Sequence, residues 1–301
     1  MSREKKTPAA PRAAATTIFV REKQGKLQTY LLKRNEKSGF MAGKYVFPGG
    51  GLDPEDRDSD FWLRRLDMPP EKISERFGGD LSPGEAVAYC VAAVRENFEE
   101  AGAFRGSLGA LAGDWEALEK ARMSGGLSRG WLKKRAAPLS GLPDLSPLFR
   151  WSRWITPERM PRRYDTRFFI TLVSGDETFS PDLNEAVRGI WIEPENGLSG
   201  NLNGDIPLSP PTLLTLHELL SFPSIHELKT AMADRTWGEP ILPRLVVSEG
   251  GSVILMPWDD MYQDKKEAIE TSASRHETLP FGEKISRVRN YDNVWKPVNT
   301  L

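Results

Sequence analysis

The stretch Arg95-Glu96-Asn97-Phe98-Glu99-Glu100-Ala101-Gly102 sets three carboxylates and an arginine on two helical turns and then stops with glycine, a residue suited to ending a helix. Residues three and four apart on a helix are neighbours, so Glu96, Glu99 and Glu100 crowd one edge while Arg95 reaches Glu99. Like charges held that close repel unless a cation sits among them. Hard oxygen donors of this kind suit Mg²⁺ or Mn²⁺. A solvated acidic face is the plainer reading of a Glu-Glu pair taken alone, and the neighbouring sequence argues against it.

Upstream, Ser82-Pro83-Gly84-Glu85 has the form of a helix start, with serine as cap and proline in the first turn. From Ala86, apolar residues recur at Tyr89, Cys90, Ala93, Val94 and Phe98, a helical stripe facing a core. Further back, Tyr45-Val46-Phe47 leads into Pro48-Gly49-Gly50-Gly51. Such a turn lets the backbone bend sharply and come close to a ligand, and a carbonyl there can join the glutamate oxygens.

Taken together, these motifs resemble the Nudix box, the signature of Mg²⁺-dependent hydrolases of nucleoside diphosphates linked to another moiety. Gly50 takes the place of its leading glycine, and Arg95, Glu96, Glu99, Glu100 and Gly102 match its helical positions one by one. Two departures stand out. Asn97 replaces the usual aliphatic residue, and Gly50 lies 45 positions before Arg95 where the family pattern has about 14. An insertion of about 31 residues therefore splits the box, and its first glutamate corresponds to Glu55, Asp56 or Glu85, a choice the sequence leaves open.

The resemblance implies an α/β (α+β) fold, the Nudix-type α/β/α sandwich with a mixed central sheet, here with helical insertions. It implies Mg²⁺ or Mn²⁺ bound by Glu99 and Glu100, with the Gly49 carbonyl and Glu96 completing the site and Arg95 holding the glutamates. Arg95, Glu96 and Glu99 would act in catalysis, Glu96 or a loop glutamate taking the proton of the attacking water. A further carboxylate usually comes from a later loop; Glu185, six residues before Trp191, is the candidate.

A split box is similar to that of the peroxisomal-type coenzyme A diphosphatases. Arg162-Arg163-Tyr164-Asp165-Thr166-Arg167-Phe168-Phe169 and Ser209-Pro210-Pro211-Thr212 also resemble that branch. Separately, the run Leu31-Leu32-Lys33-Arg34 through Gly43 to Phe47-Pro48-Gly49-Gly50 resembles one that coenzyme A-specific Nudix enzymes carry before their box, with Asn35 and Gly39 as departures. The expected reaction is cleavage of coenzyme A or its acyl esters to 3′,5′-ADP and phosphopantetheine. Arg34, Arg163 and Arg167 are the candidate phosphate clamps. Two alternatives stay open: hydrolysis of ADP-ribose, NADH, dinucleotides or nucleotide sugars, and a non-catalytic nucleotide sensor. Three intact glutamates argue against the sensor.

The rest of the chain fits an aqueous, small-molecule enzyme. At 301 residues and 39% hydrophobic, it can bury a sizeable core. The 41 basic and 42 acidic residues leave a net charge of -1, so no general basic field draws nucleic acid. No apolar run approaches the ~20 residues of a membrane span. Met1 to Lys6 has no hydrophobic segment behind it, which reads as no secretory leader, and a cytoplasmic location is expected. Cys90, the single cysteine, reads as a core thiol. His217, His226 and His276 lack metal-ligand spacing. A nucleotide substrate is the expected partner, with a homodimer admitted as the assembly.

Along the chain, residues 1–13 read as a loose arm and 14–245 as the hydrolase domain, with insertions at about 52–83 and 105–150. Residues 246–301 read as a C-terminal extension packed on it or loosely attached. Strands are expected at Ala14 to Arg21, Leu27 to Arg34, Thr166 to Val173 and Gly189 to Ile192, the first two forming a hairpin. Helices are expected at Trp115 to Met123, Trp131 to Arg135, Thr212 to Leu220 and Ile225 to Met232, with a late hairpin over Leu245 to Met256. Trp151 and Trp154, among Arg150 and Arg153, read either as a base-stacking pair or as the contact of an insertion with its core.

Overall fold

Val20, Ile18 and Phe19 are fully buried at the centre of the molecule, and the strand that carries them organises everything around it. In a computed structural model that describes residues 8–103, 115–141, 143–182, 186–248, 251–264 and 279–298, β1 (Arg12–Lys23) pairs antiparallel with β2 (Lys26–Arg34). On its other side β1 runs parallel to β6 (Tyr164–Leu172). Strands β3 (Tyr45–Val46) and β5 (Phe149–Ile155) complete the path β3-β2-β1-β6-β5, while β4 (Gly49–Gly51) pairs with β1 and β7 (Ala186–Ile192) with β2. The sheet is mixed, as the sequence predicts.

Alternation along β1 sends side chains to both faces. Ala15 joins a cluster with Val87, Val91, Val94 and Phe98 of α3 (Pro83–Ala101). Ile18 and Val20 face the other way, against Leu198 of α6 (Pro194–Asn203) and Leu213 and Leu216 of α7 (Pro210–Leu219). Helices thus cover both faces of the sheet. Burial on both sides explains why β1 reads as a nearly continuous apolar run.

The helix α3 begins as its sequence signals. Ser82 and Glu85 form a reciprocal capping box, satisfying two backbone donors at the start. Gly102 closes it with φ 63°, a left-handed conformation that glycine adopts without a Cβ penalty. Between these ends, every residue from Ala86 to Arg95 is buried. One reason lies in the first insertion: its short helices α1 (Ser59–Leu63) and α2 (Pro70–Ile73), followed by a π-helical turn at Ser74–Gly78, bring Trp62, Ile73 and Phe77 against α3. The second insertion adds α4 (Trp115–Met123) and α5 (Trp131–Ala136), whose Leu118 and Trp131 join the same cluster.

Several elements differ from the sequence reading. Phe149–Ile155 is a strand of the main sheet rather than the edge of an insertion, so Trp151 and Trp154 are core residues of β5. Helix α6 has no counterpart among the predicted elements. At the C-terminal end, α8 (Ile225–Ala233) precedes a second sheet of order β11-β10-β9-β8. Its strands are β8 (Arg244–Ser248), β9 (Gly251–Leu255), β10 (Arg287–Tyr291) and β11 (Val294–Pro297). Ile254, Met256, Ile285 and Val288 of this region share a cluster with Ile18 and Leu213, and the boundary expected at residue 245 falls inside β8. Among the described residues, no helix is long and apolar enough to cross a membrane.

Candidate active site

Antiparallel pairing of Gly49, Gly50 and Gly51 with Thr16, Ala15 and Ala14 holds the glycine turn beside the last turns of α3. Glycine is required there for two separate reasons. Gly49 has φ 149°, and a Cβ on it would collide with the Ala15 carbonyl and Thr16. A Cβ on Gly50 would stand 2.5 Å from the Glu96 carboxylate, so the bare backbone makes room for that acid.

Arg95 knits the two halves of the split box together. Its Nη2 donates to the Gly51 carbonyl at 2.8 Å and to Asp56 Oδ2 at 2.8 Å, and its Nε reaches Asp56 Oδ1 at 3.1 Å. Its Nη1 donates to Glu96 Oε1 at 2.9 Å and Glu99 Oε2 at 3.0 Å. Of the three acids left open as the box's first carboxylate, Asp56 is therefore the one joined to the motif. Glu55 pairs with Arg129, and Glu85 is spent in the helix cap. The spacing held this signal, because Asp56 follows Gly50 after five intervening residues, the interval that separates the leading glycine from the first glutamate in the box it resembles.

The remaining acids divide by position. Glu96 and Glu100 line a cavity of about 400 Å³ together with Gly49, Gly50 and Gly51. Glu100 Oε2 accepts the Gly49 N–H at 2.8 Å, so it is the backbone N–H of Gly49 that is seen engaged with an acid. Glu99 is held by Arg95 on one oxygen and by the indole N–H of Trp131 on the other, and is absent from the cavity lining. Glu185 lies outside the described residues. Asn97, the departure from the aliphatic position, is fully buried and donates to Thr17 Oγ1 of β1, fastening the helix to the sheet through a polar contact.

Burial sets the electrostatics. Desolvation pushes Glu96 up to about 7 against the opposing pull of Arg95, and it raises Glu99 and Asp56 as well. Desolvation works against the charge of Arg95, yet Glu96, Asp56 and Glu99 around it hold its pKa above the ordinary value. A buried cation thus neutralises three acids from behind, leaving Glu96 and Glu100 presented to the cavity.

Those two acids fit a divalent cation. Among the described residues no three or more His, Cys, Asp or Glu side chains form a closed ligand group. Mg²⁺, however, commonly takes one or two carboxylates and leaves its other positions to water and substrate phosphates. Two hard oxygen donors beside a turn that a Cβ would block are such an open site.

Around the acids, the cavity gathers the other motif stretches. Arg34, Arg162, Tyr164, Thr166 and Phe168 line it, as do Ser209, Pro210, Pro211 and Thr212. Phe40 stands edge-on to Tyr164 with ring centroids 5.3 Å apart. Two of the expected phosphate clamps lie elsewhere. Arg163 is buried and donates to the Thr156 and Ala9 carbonyls at 3.0 and 2.8 Å. Arg167 is 1% exposed, paired with Asp80 and packed between the rings of Tyr89 and Trp237. Alternation along β6 explains this, since one arginine of the motif can face the cavity only if its neighbours turn away. Arg162, just before the strand, was missed as a cavity residue for want of any signal separating it from Arg163.

Comparison with known proteins agrees with this geometry. A family model described as the NUDT19 Nudix domain matches residues 6–219. The chain is 30% identical over 306 residues to human acyl-coenzyme A diphosphatase NUDT19, covering 87% of this chain and 80% of that protein. It is 28% identical to the Xenopus laevis protein of the same name, covering 79% and 72%. Among solved structures, a NUDIX hydrolase from Alicyclobacillus acidocaldarius aligns with a TM-score of 0.53 at 24% identity, over 77% of this chain and 99% of that one, a likeness of fold.

Proposed function

Because the chain belongs to the Nudix hydrolases, within the family described by the NUDT19 Nudix domain, we propose that it cleaves the diphosphate of coenzyme A or acyl-coenzyme A to 3′,5′-ADP and (acyl-)phosphopantetheine. The observation that carries the reading is the Arg95 hub. It joins Gly51 and Asp56, before the insertion, to Glu96 and Glu99 after it, so the divided motif is rebuilt in space. The names of the human and Xenopus relatives supply the substrate class.

Glu96 and Glu100 would hold Mg²⁺ or Mn²⁺. When bound, such an ion neutralises diphosphate charge and makes water more acidic. Glu96, which faces the cavity beside the glycine turn, is placed to take a proton from the attacking water. Arg95 and Trp131 fix Glu99 and so the orientation of the acidic turn. Arg34 and Arg162, at the cavity wall, provide the positive charge that phosphates need. The reaction takes place in an aqueous compartment, with a small nucleotide as partner.

Incubation with Mg²⁺ and, separately, coenzyme A, acyl-coenzyme A, ADP-ribose and NADH tests the proposal. Release of 3′,5′-ADP from the coenzyme A substrates is expected. Release of AMP from ADP-ribose or NADH, with coenzyme A left intact, overturns it in favour of a dinucleotide pyrophosphatase.

A further inference from the structure

A second cavity, of about 710 Å³, lies along β5 and α7. Its lining meets that of the first at one residue, Trp154, which contributes to both. Trp151, Leu214, Leu220, Ile241 and Trp258 give it an apolar wall. The volume lies within the range of small-molecule sites, which are mostly apolar with a few placed polar groups. Among its polar residues, two bear on what it could hold. Ser152 lines the cavity, and its hydroxyl is buried without a hydrogen-bond partner, a condition that buried polar groups rarely keep. His217, also in the lining, accepts the Gly282 N–H on Nε2 at 3.1 Å and therefore carries no charge there.

Of the charged residues that also line it, Glu218 and Arg235 pair with each other at 2.8 Å and Lys284 is exposed, so the buried tryptophan wall offers a diphosphate no unpaired charge and is poorly suited to one. It suits a hydrocarbon chain that ends in a carbonyl. An acyl-coenzyme A has that chemistry at the end of a long, flexible arm, remote from the diphosphate that the first cavity receives. We propose that the second cavity seats the acyl chain of the substrate, with Trp154 forming the wall over which the pantetheine arm passes and Ser152 the donor to the thioester carbonyl. The inference rests on the proposed coenzyme A reading and assigns the side chains that would make this protein prefer acylated over free coenzyme A.

Burial of each methylene contributes about 0.8 kcal/mol, close to fourfold in affinity, so a medium-length chain seated there raises kcat/KM well over tenfold. The test compares free coenzyme A, acetyl-coenzyme A and dodecanoyl-coenzyme A as substrates of the full chain. The wild type is expected to favour the dodecanoyl ester by at least tenfold in kcat/KM. Leu214→Trp, which fills the cavity, should remove that preference and leave turnover of free coenzyme A unchanged, the latter reporting an intact fold. Leu220→Trp serves the same purpose should the first variant misfold. Ser152→Ala should raise KM for both esters and not for free coenzyme A. Equal kcat/KM for all three substrates in the wild type, or a chain-length preference that survives the filled cavity, overturns the acyl site while leaving the diphosphatase reading intact. No turnover of any coenzyme A substrate overturns both.

Discussion

Arg95 and Asp56 stand 39 residues apart in the chain and share a two-pronged ion pair in the interior, with guanidinium Nε and Nη2 both donating to one carboxylate. Their side chains are 5% and 2% exposed. Removing one partner of such a pair leaves a buried charge uncompensated, at a cost of about 3–5 kcal/mol. Asp56→Ala is therefore expected to lower the unfolding free energy by that order in a denaturant titration. Arg95→Lys should also lose activity, because a point charge cannot serve Gly51, Asp56, Glu96 and Glu99 at once. Stability unchanged in Asp56→Ala would show that the acid is dispensable to the hub.

Gly50 offers a sharper test of the site's geometry. Gly50→Ala places a methyl 2.5 Å from the Glu96 carboxylate, which must swing away from its place beside Arg95. Turnover should fall about 100-fold or more, in the range that follows loss of a single preorganised transition-state contact, with the melting temperature little changed. An active Gly50→Ala enzyme would move Glu96 out of the chemistry.

Trp131 brings the second insertion into the site, since its indole N–H binds Glu99. Trp131→Phe keeps the ring and removes the donor, and partners of this outer kind change metal affinity or activity by about 10–100-fold. Titration of Mg²⁺ against turnover should show a raised half-saturation concentration. Glu99→Gln should be more severe, because its amide sets an N–H against either Arg95 or Trp131; near-complete loss of turnover is expected, and an active variant would remove Glu99 from the site.

The arginines separate into two groups by experiment. Arg34→Ala and Arg162→Ala are expected to raise KM roughly tenfold or more, the scale of a hydrogen bond to a charged group, and Arg162→Ala, at an exposed position, to leave stability unchanged. Arg163→Ala and Arg167→Ala are expected to lower stability by about 1–3 kcal/mol. Michaelis kinetics beside thermal melts, on all four variants, decides the assignment.

His217 gives the molecule a pH-dependent weakness. Burial holds its pKa below the ordinary value, and its Nε2 accepts from the Gly282 N–H. A depressed folded pKa means that the unfolded chain takes up the proton first. The associated stability is fully present above the unfolded pKa of about 6.5 and is lost as pH falls toward the folded value. Denaturation between pH 8 and pH 5 should show a loss of stability that is smaller in His217→Gln. Equal pH dependence in both proteins would assign the loss to other groups.

Much of this architecture was legible in the residues themselves. The hairpin at the start, both ends of α3 and the glycine turn carry local signals, because capping and tight turns depend on residues close in sequence. The partner of Arg95 needed a count of spacing rather than a pattern. Strand β5 was obscured because Arg150 and Arg153 flank its tryptophans, and a bulge between Arg150 and Ser152 breaks the strict alternation a strand would show. Helix α6 carries Gly197 and Gly200 in its interior, where the Leu216 and Ile206 side chains pack too closely for a Cβ. The sequence sees only two poor helix formers there. Strands β10 and β11 are short and half-exposed, so their pairing depends on partners the sequence does not place.

The covering of α3 by Trp62, Ile73 and Phe77 bears on any attempt to reduce this enzyme to a minimal form. Looping out residues 57–81 would shorten the interval between Gly50 and Arg95 from 45 positions toward the family's spacing. It would also strip three large apolar side chains from a helix whose stretch 86–94 has no charged residue to show in their place. Such a truncation should emerge from expression as aggregate rather than as a smaller hydrolase, unless the newly bared positions among Val87, Cys90 and Val91 are made hydrophilic in the same step.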